Sequence, residues 1–107
     1  MQHNKLVRDN IPAIILQHGE TPITRTLGTA EYQDALRQKL HEEVAEFCAT
    51  GHLEELADIL EVVYTLAAVA GISPGQLEAV RQQKLRERGG FRHRVFLVET
   101  QAPPSMP

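Results

Sequence analysis

Residues 29–72 read TAEYQDALRQKLHEEVAEFCATGHLEELADILEVVYTLAAVAGI, and the reading of this stretch decides the fold. Tyr32, Leu36, Leu40, Val44 and Phe47 recur at steps of three and four, the period of one helical face. The spacing predicts a helix over residues 29–50, with Gly51 as its stop. A further helix is predicted over residues 53–70. Its later part, residues 59–72, is apolar on nearly every side except at Glu61, Tyr64 and Thr65, which is the mark of a buried helix. The turn around Gly51 and His52 is short, so the two helices should pack as an antiparallel hairpin.

Outward from the hairpin, Ser73-Pro74 is a strong helix start. Serine caps the free N–H groups, and proline is tolerated at the first helical position, where its missing N–H costs little. This helix is predicted to run to about Arg88 and to end at Gly89-Gly90. Upstream, residues 9–18 read as a short helix with Asp9 as N-cap, Pro12 in the first turn, an apolar stripe of Ile11, Ile14 and Ile15, and Gly19 as its close. Residues 21–27 alternate weakly and are read as extended. Residues 91–98, FRHRVFLV, are expected as either a short strand or an extended tail packing back on the bundle. The last seven residues, 101–107, hold three prolines and are expected to be a disordered tail.

These elements define an all-α fold: a small bundle of about four helices, with residues 1–100 as a single domain. At 107 residues there is no room for a second core. Aromatic residues make up only 5% of the chain, so the core must be aliphatic. So short a chain offers too little material to surround an all-round apolar helix, which points to a homo-oligomer, a dimer or a tetramer. The net charge of −3 argues against general nucleic-acid or membrane binding. Cys48 is the only cysteine, which excludes an intrachain disulfide and suits a reducing compartment. With no apolar run near 18 residues and no signal-like apolar stretch after Met1, a cytoplasmic location is expected.

Charge is distributed unevenly. Between Leu40 and Val80 there is no lysine or arginine, yet the same window holds Glu42, Glu43, Glu46, Glu54, Glu55, Asp58, Glu61 and Glu78. Ordinary exposed helices intersperse signs, because opposite charges four apart stabilise and like charges repel. Here Glu46 sits three from Glu43, and Asp58 sits three from both Glu55 and Glu61. Glu43 also falls within the apolar stripe of its own helix, where a carboxylate is costly unless paired or bound to a cation. In an antiparallel hairpin, Glu43 and Glu46 near the end of one helix meet Glu55 and Asp58 near the start of the next. Four carboxylates at one spot suit a hard divalent cation such as magnesium, which favours carboxylate oxygen, water and phosphate. Zinc suits it less, since Cys48 is alone and the five histidines lack ligand spacing. A plain acidic face on a solvated hairpin is the competing explanation.

The segments Lys39-Leu-His-Glu-Glu-Val-Ala-Glu46 and Glu54-Glu-Leu-Ala-Asp58 resemble the signature of the all-α NTP pyrophosphatases, the MazG-like superfamily. Asn4-Lys-Leu-Val-Arg-Asp-Asn-Ile-Pro12 and Arg88-Gly-Gly-Phe91 resemble the opening and close of its compact phosphoribosyl-ATP pyrophosphohydrolase-like subgroup. The resemblance covers most of the chain and implies a hydrolase that cleaves between the α and β phosphates, giving a nucleoside monophosphate and pyrophosphate. It places the metal ligands at Glu43, Glu46, Glu55 and Asp58, with magnesium as cofactor and manganese as substitute. Glu61 is a candidate further ligand. Glu42 and Glu54 precede matching positions and are expected in supporting or solvent-facing roles; Glu42 or one of the four ligands is a candidate base. Lys5, Arg8, Lys84 and Arg88 are candidates to meet the phosphates, with surface solubility or salt bridges between subunits as the ordinary alternative. One departure is the spacer of only eight residues between Glu46 and Glu55, shorter than in many superfamily members. Three other readings stay open: a phosphoribosyl-ATP pyrophosphohydrolase of histidine biosynthesis, a non-catalytic helical oligomerisation or regulatory module, and nucleic-acid binding through residues 86–94.

Overall fold

The computed structural model describes residues 1–105. Four helices follow one another: α1 (Ile11–Gln17), α2 (Thr29–Thr50), α3 (Leu53–Val69) and α4 (Pro74–Arg88). No strand occurs among the described residues. The all-α expectation therefore stands, and the hairpin falls where the periodicity put it.

α2 and α3 form the body of the molecule, packed along each other. The reversal between them is set by Gly51, which adopts φ +69° and donates its N–H to the Phe47 carbonyl at 2.7 Å. A residue with a Cβ is strained in that left-handed conformation, so glycine is the natural choice. Thr50 secures the connection: its hydroxyl donates to the Glu46 carbonyl at 3.1 Å and accepts from the His52 N–H at 3.2 Å. Leu36 on α2 and Val62 and Ala67 on α3 are the buried apolar residues.

α3 closes through Gly71 at φ +78°, with the Ile72 N–H reaching back to the Ala67 carbonyl at 2.8 Å. The chain then turns by 109° into α4. A capping box starts that helix as expected. Ser73 Oγ accepts from the Gln76 N–H at 3.1 Å, and the Gln76 side chain accepts from the Ser73 N–H at 2.8 Å. α4 packs only against α3, and most of its surface faces solvent. Glu78 and Arg81 pair on that surface through the Arg81 Nε at 2.8 Å, and this hydrogen bond holds the Glu78 carboxyl below its usual range.

Three expectations are corrected. α1 is shorter than residues 9–18, and its N-cap is Asn10 rather than Asp9, with no side-chain cap. Residues 21–27 carry no regular secondary structure; the Arg25 guanidinium instead reaches forward to Glu31 in the first turn of α2 at 3.0 Å. Residues 91–98 form neither a strand nor a tail packed on the bundle. Residues 91–94 make a turn, closed by the Arg94 N–H to the Phe91 carbonyl at 3.3 Å, and residues 95–98 run on exposed. α3 is not covered within one chain, which is where the shortage of surrounding material put it: Leu53, Leu56, Leu60 and Tyr64 are exposed. Of the expected disordered tail, residues 101–105 carry no secondary structure, and residues 106–107 lie outside the described residues.

The molecule is elongated, with extents of 77 × 32 × 23 Å and a radius of gyration of 20.1 Å. A folded chain of this length has a radius of gyration of about 13 Å. No single helix among the described residues is long and apolar enough to cross a membrane.

Candidate metal centre

α3 has two unlike faces. Glu55, Asp58 and Val62 repeat at three and four residues and line one face. At about 100° per residue that face lies some 160° round from Leu53. Val62 is buried, so this is the face turned to α2, and it carries the two acids with it. From α2, Glu43 comes to meet them. Its position inside the apolar stripe buries it to 5% exposure, and it is the one buried charged residue among those described.

The hairpin thus brings Glu43, Glu55 and Asp58 together, each offering an oxygen within 4.8 Å of the others. Oxygens on one octahedral ion with ligands at about 2.1 Å stand about 3.0 to 4.2 Å apart, so the three acids lie near the spacing of a shared ion. One oxygen of Glu43 meets the Lys39 ammonium at 3.2 Å. The other, Oε2, is buried and has no hydrogen-bond partner among the described residues. A buried carboxylate oxygen without a partner loses hydration with nothing in return, a cost of several kcal/mol for a charged group. A divalent cation supplies what that oxygen lacks, so the donor set fits the expected metal.

Lys39 and Arg8 are the cations already at this spot. Burial disfavours the charged Lys39, but hydrogen bonding and attraction to Glu43, with a smaller contribution from Glu42, outweigh it and raise its pKa. Arg8 spans fifty residues of chain to place its Nη2 2.6 Å from Asp58 Oδ1. Apart from Glu78, which Arg81 meets on α4, the acids of the window have no basic partner on their own helix at the third or fourth place except through Lys39; Arg8 arrives from the N-terminal segment, which no pattern within α3 foretold. The NKLVRDNIP segment was the available signal.

A cleft of about 610 Å³ opens above the acids, lined by the N-terminal segment from Leu6 to Ile11 and by α2 and α3. Arg8, Tyr32, Lys39, Glu43, Asp58 and Glu61 are among its walls. Tyr32 and Thr65 also line it, and Thr65 was not among the predicted site residues.

The other predicted residues are placed differently. Glu46 is exposed one turn beyond Glu43 and lies outside the three-carboxylate cluster. Glu42 is half-buried and meets Lys39 at 3.5 Å. Lys5 lines a smaller neighbouring cleft with Lys39 and Glu42. Lys84 and Arg88 stand exposed on α4 and line neither cleft.

No protein-family model matches the chain. No solved structure matches it either. Over 45 residues the chain is 56% identical to an uncharacterized protein of Mycolicibacterium smegmatis. That match covers 42% of this chain and 46% of that protein. The functional reading therefore rests on the residues of the cleft.

Proposed function

We propose that this chain is a magnesium-dependent nucleoside triphosphate pyrophosphohydrolase of the house-cleaning kind, in the MazG-like superfamily, cleaving between the α and β phosphates. The observation that carries the reading is the convergence of Glu43, Glu55 and Asp58, with a buried, unpartnered oxygen on Glu43. A solvated acidic face explains exposed acids such as Glu54. It does not explain a carboxylate buried on the core side of a helix.

In this reading Glu43, Glu55 and Asp58 hold magnesium, with Glu46 and Glu61 near enough along their helices to join through water. Magnesium, when bound, offsets phosphate charge and activates water for attack. The chain's own part is binding and orientation. Arg8 leaves Asp58 and turns its planar, two-pronged guanidinium to the phosphates, as arginine does in bidentate contacts. Lys39 stays on Glu43 and balances its charge. Tyr32 offers a flat, half-buried face in the cleft for a base or sugar. Lys5 borders the entrance; Lys84 and Arg88 reach the phosphates only if a second subunit presents them. The homo-oligomer, a dimer or a tetramer, belongs to the same proposal.

Pyrophosphate release is the test, measured over a panel of NTPs, dNTPs and phosphoribosyl-ATP with and without magnesium. The expected outcome is magnesium-dependent release that Asp58→Asn abolishes while the helical circular dichroism is retained. Preference for phosphoribosyl-ATP alone would move the chain to histidine biosynthesis. No turnover on any of them, with binding indifferent to magnesium, would leave a non-catalytic helical module.

A further inference from the structure

Two exposed apolar features lie on parts of the chain that the proposed site does not use. One is the face of α3 opposite the acids. Leu53, Leu56, Leu60 and Tyr64 repeat at three and four residues and form a stripe along that helix, all exposed. The other is the segment beyond α4. Phe91, Val95, Phe96, Leu97 and Val98 are 74–99% exposed and rest on nothing in their own chain.

The chain's surface measures 9867 Å². A folded monomer of this mass exposes about 6,000 Å², so one copy shows well over 3,000 Å² more than a self-sufficient fold. A stable interface needs only about 1,600 Å² in total. The charges complement each other as well. Glu54 borders the α3 stripe and pairs with no base among the described residues. The segment beyond α4 carries Arg92 and Arg94, which are also unpaired. Its root lies at the far end of a fifteen-residue helix that leaves α3 at 109°.

We propose that residues 91–98 form an exchanged arm, laid along the α3 stripe of a second copy of this chain while that copy's arm is laid along the first. Val95 to Val98 cover Leu53, Leu56, Leu60 and Tyr64 of the neighbour, and Arg92 and Arg94 approach its Glu54. Reciprocal exchange makes the contact two-fold and closed. The arm rests on the homo-oligomer reading above, which it narrows to a named contact, and uses none of the residues placed at the metal.

Sedimentation velocity on the full chain and on a chain ending at Gly90 tests the association. The full chain is expected as a dimer, and the shortened one at half that mass with its helical signal kept. Cysteine pairing tests the exchange in a Cys48→Ser background. Leu97→Cys chains are mixed with chains carrying Leu53→Cys, Leu56→Cys or Leu60→Cys and oxidised. At least one mixture should give a disulfide-linked heterodimer, since such bonds form only where the Cα atoms come within about 7 Å. Absence of cross-linked heterodimer from all three mixtures overturns the exchange even if the protein is dimeric. So does an intrachain cross-link in a chain carrying both cysteines. A monomeric full chain overturns the exchange and the homo-oligomer together, and leaves the pyrophosphatase reading to its own assay.

Discussion

At the scale of single residues, the structure separates acids that a sequence lists side by side. Glu54 and Glu55 both fall in the first turn of α3, where the helix dipole favours negative charge on its own. Asp58 has no such excuse, and Glu43 is buried. Lys39 is the residue on which Glu43 depends within the chain. Lys39→Met should cost about 1–3 kcal/mol in urea unfolding, because it strands a buried carboxylate whose partner is still partly wet. Added magnesium should restore most of that loss, by binding only the folded state. The pair also sets a pH dependence. The Lys39 pKa is raised on folding, so its stabilisation is complete below the ordinary lysine pKa and is lost as pH climbs through the folded value. Wild-type stability should therefore fall more steeply than that of Lys39→Met in the alkaline range. Arg8→Ala should tighten magnesium binding to the free protein, by releasing Asp58, and weaken nucleotide binding; isothermal titration separates the two.

At the scale of elements, the hairpin was legible because three independent signals agreed: the period of α2, Gly51, and the resumption of helix at Leu53. Gly51→Ala should cost about 1 kcal/mol, since φ +69° strains any residue with a Cβ. Ser73→Ala should cost about as much through loss of the capping box. Thermal or urea unfolding measures both. The misread elements share one cause. Residues 21–27 and 91–98 are rich in threonine or in β-branched and aromatic side chains, which read as strand. A strand needs a second strand to hydrogen-bond, and nothing in a chain of helices provides one. Propensity without a partner left both segments without regular structure. The candidate site was legible in Glu55 and Asp58, whose spacing of three fixes a face of α3, and in Glu43, set in the apolar stripe of α2; Glu46, counted with them, is exposed outside the cluster. Its basic half was not, because the Arg8 contact with Asp58 joins residues fifty apart and depends on how the N-terminal segment crosses the hairpin.

For the whole molecule, sequence and structure meet on the same shortage. Residues 59–72 looked like a buried helix, and a chain of this size lacks the material to bury it. The structure shows where the shortage lies: the side of α3 toward α2 is covered, and the stripe from Leu53 to Tyr64 is open. Leu56→Glu places a charge on that stripe and should lower the association constant at least tenfold in sedimentation equilibrium, without loss of helix. Elongation has the same origin. α4 and the residues beyond it find no room on a two-helix body and extend from it, giving the 77 Å long axis.

Direct titration with manganese, followed by the loss of the free ion's electron paramagnetic resonance signal, puts the central claim to its sharpest trial. Wild-type protein should take up the ion, and Glu43→Gln, Glu55→Gln and Asp58→Asn should each weaken that uptake at least tenfold. Uptake that is unchanged in all three variants would show that these carboxylates hold no cation, and the proposed hydrolase would lose its site.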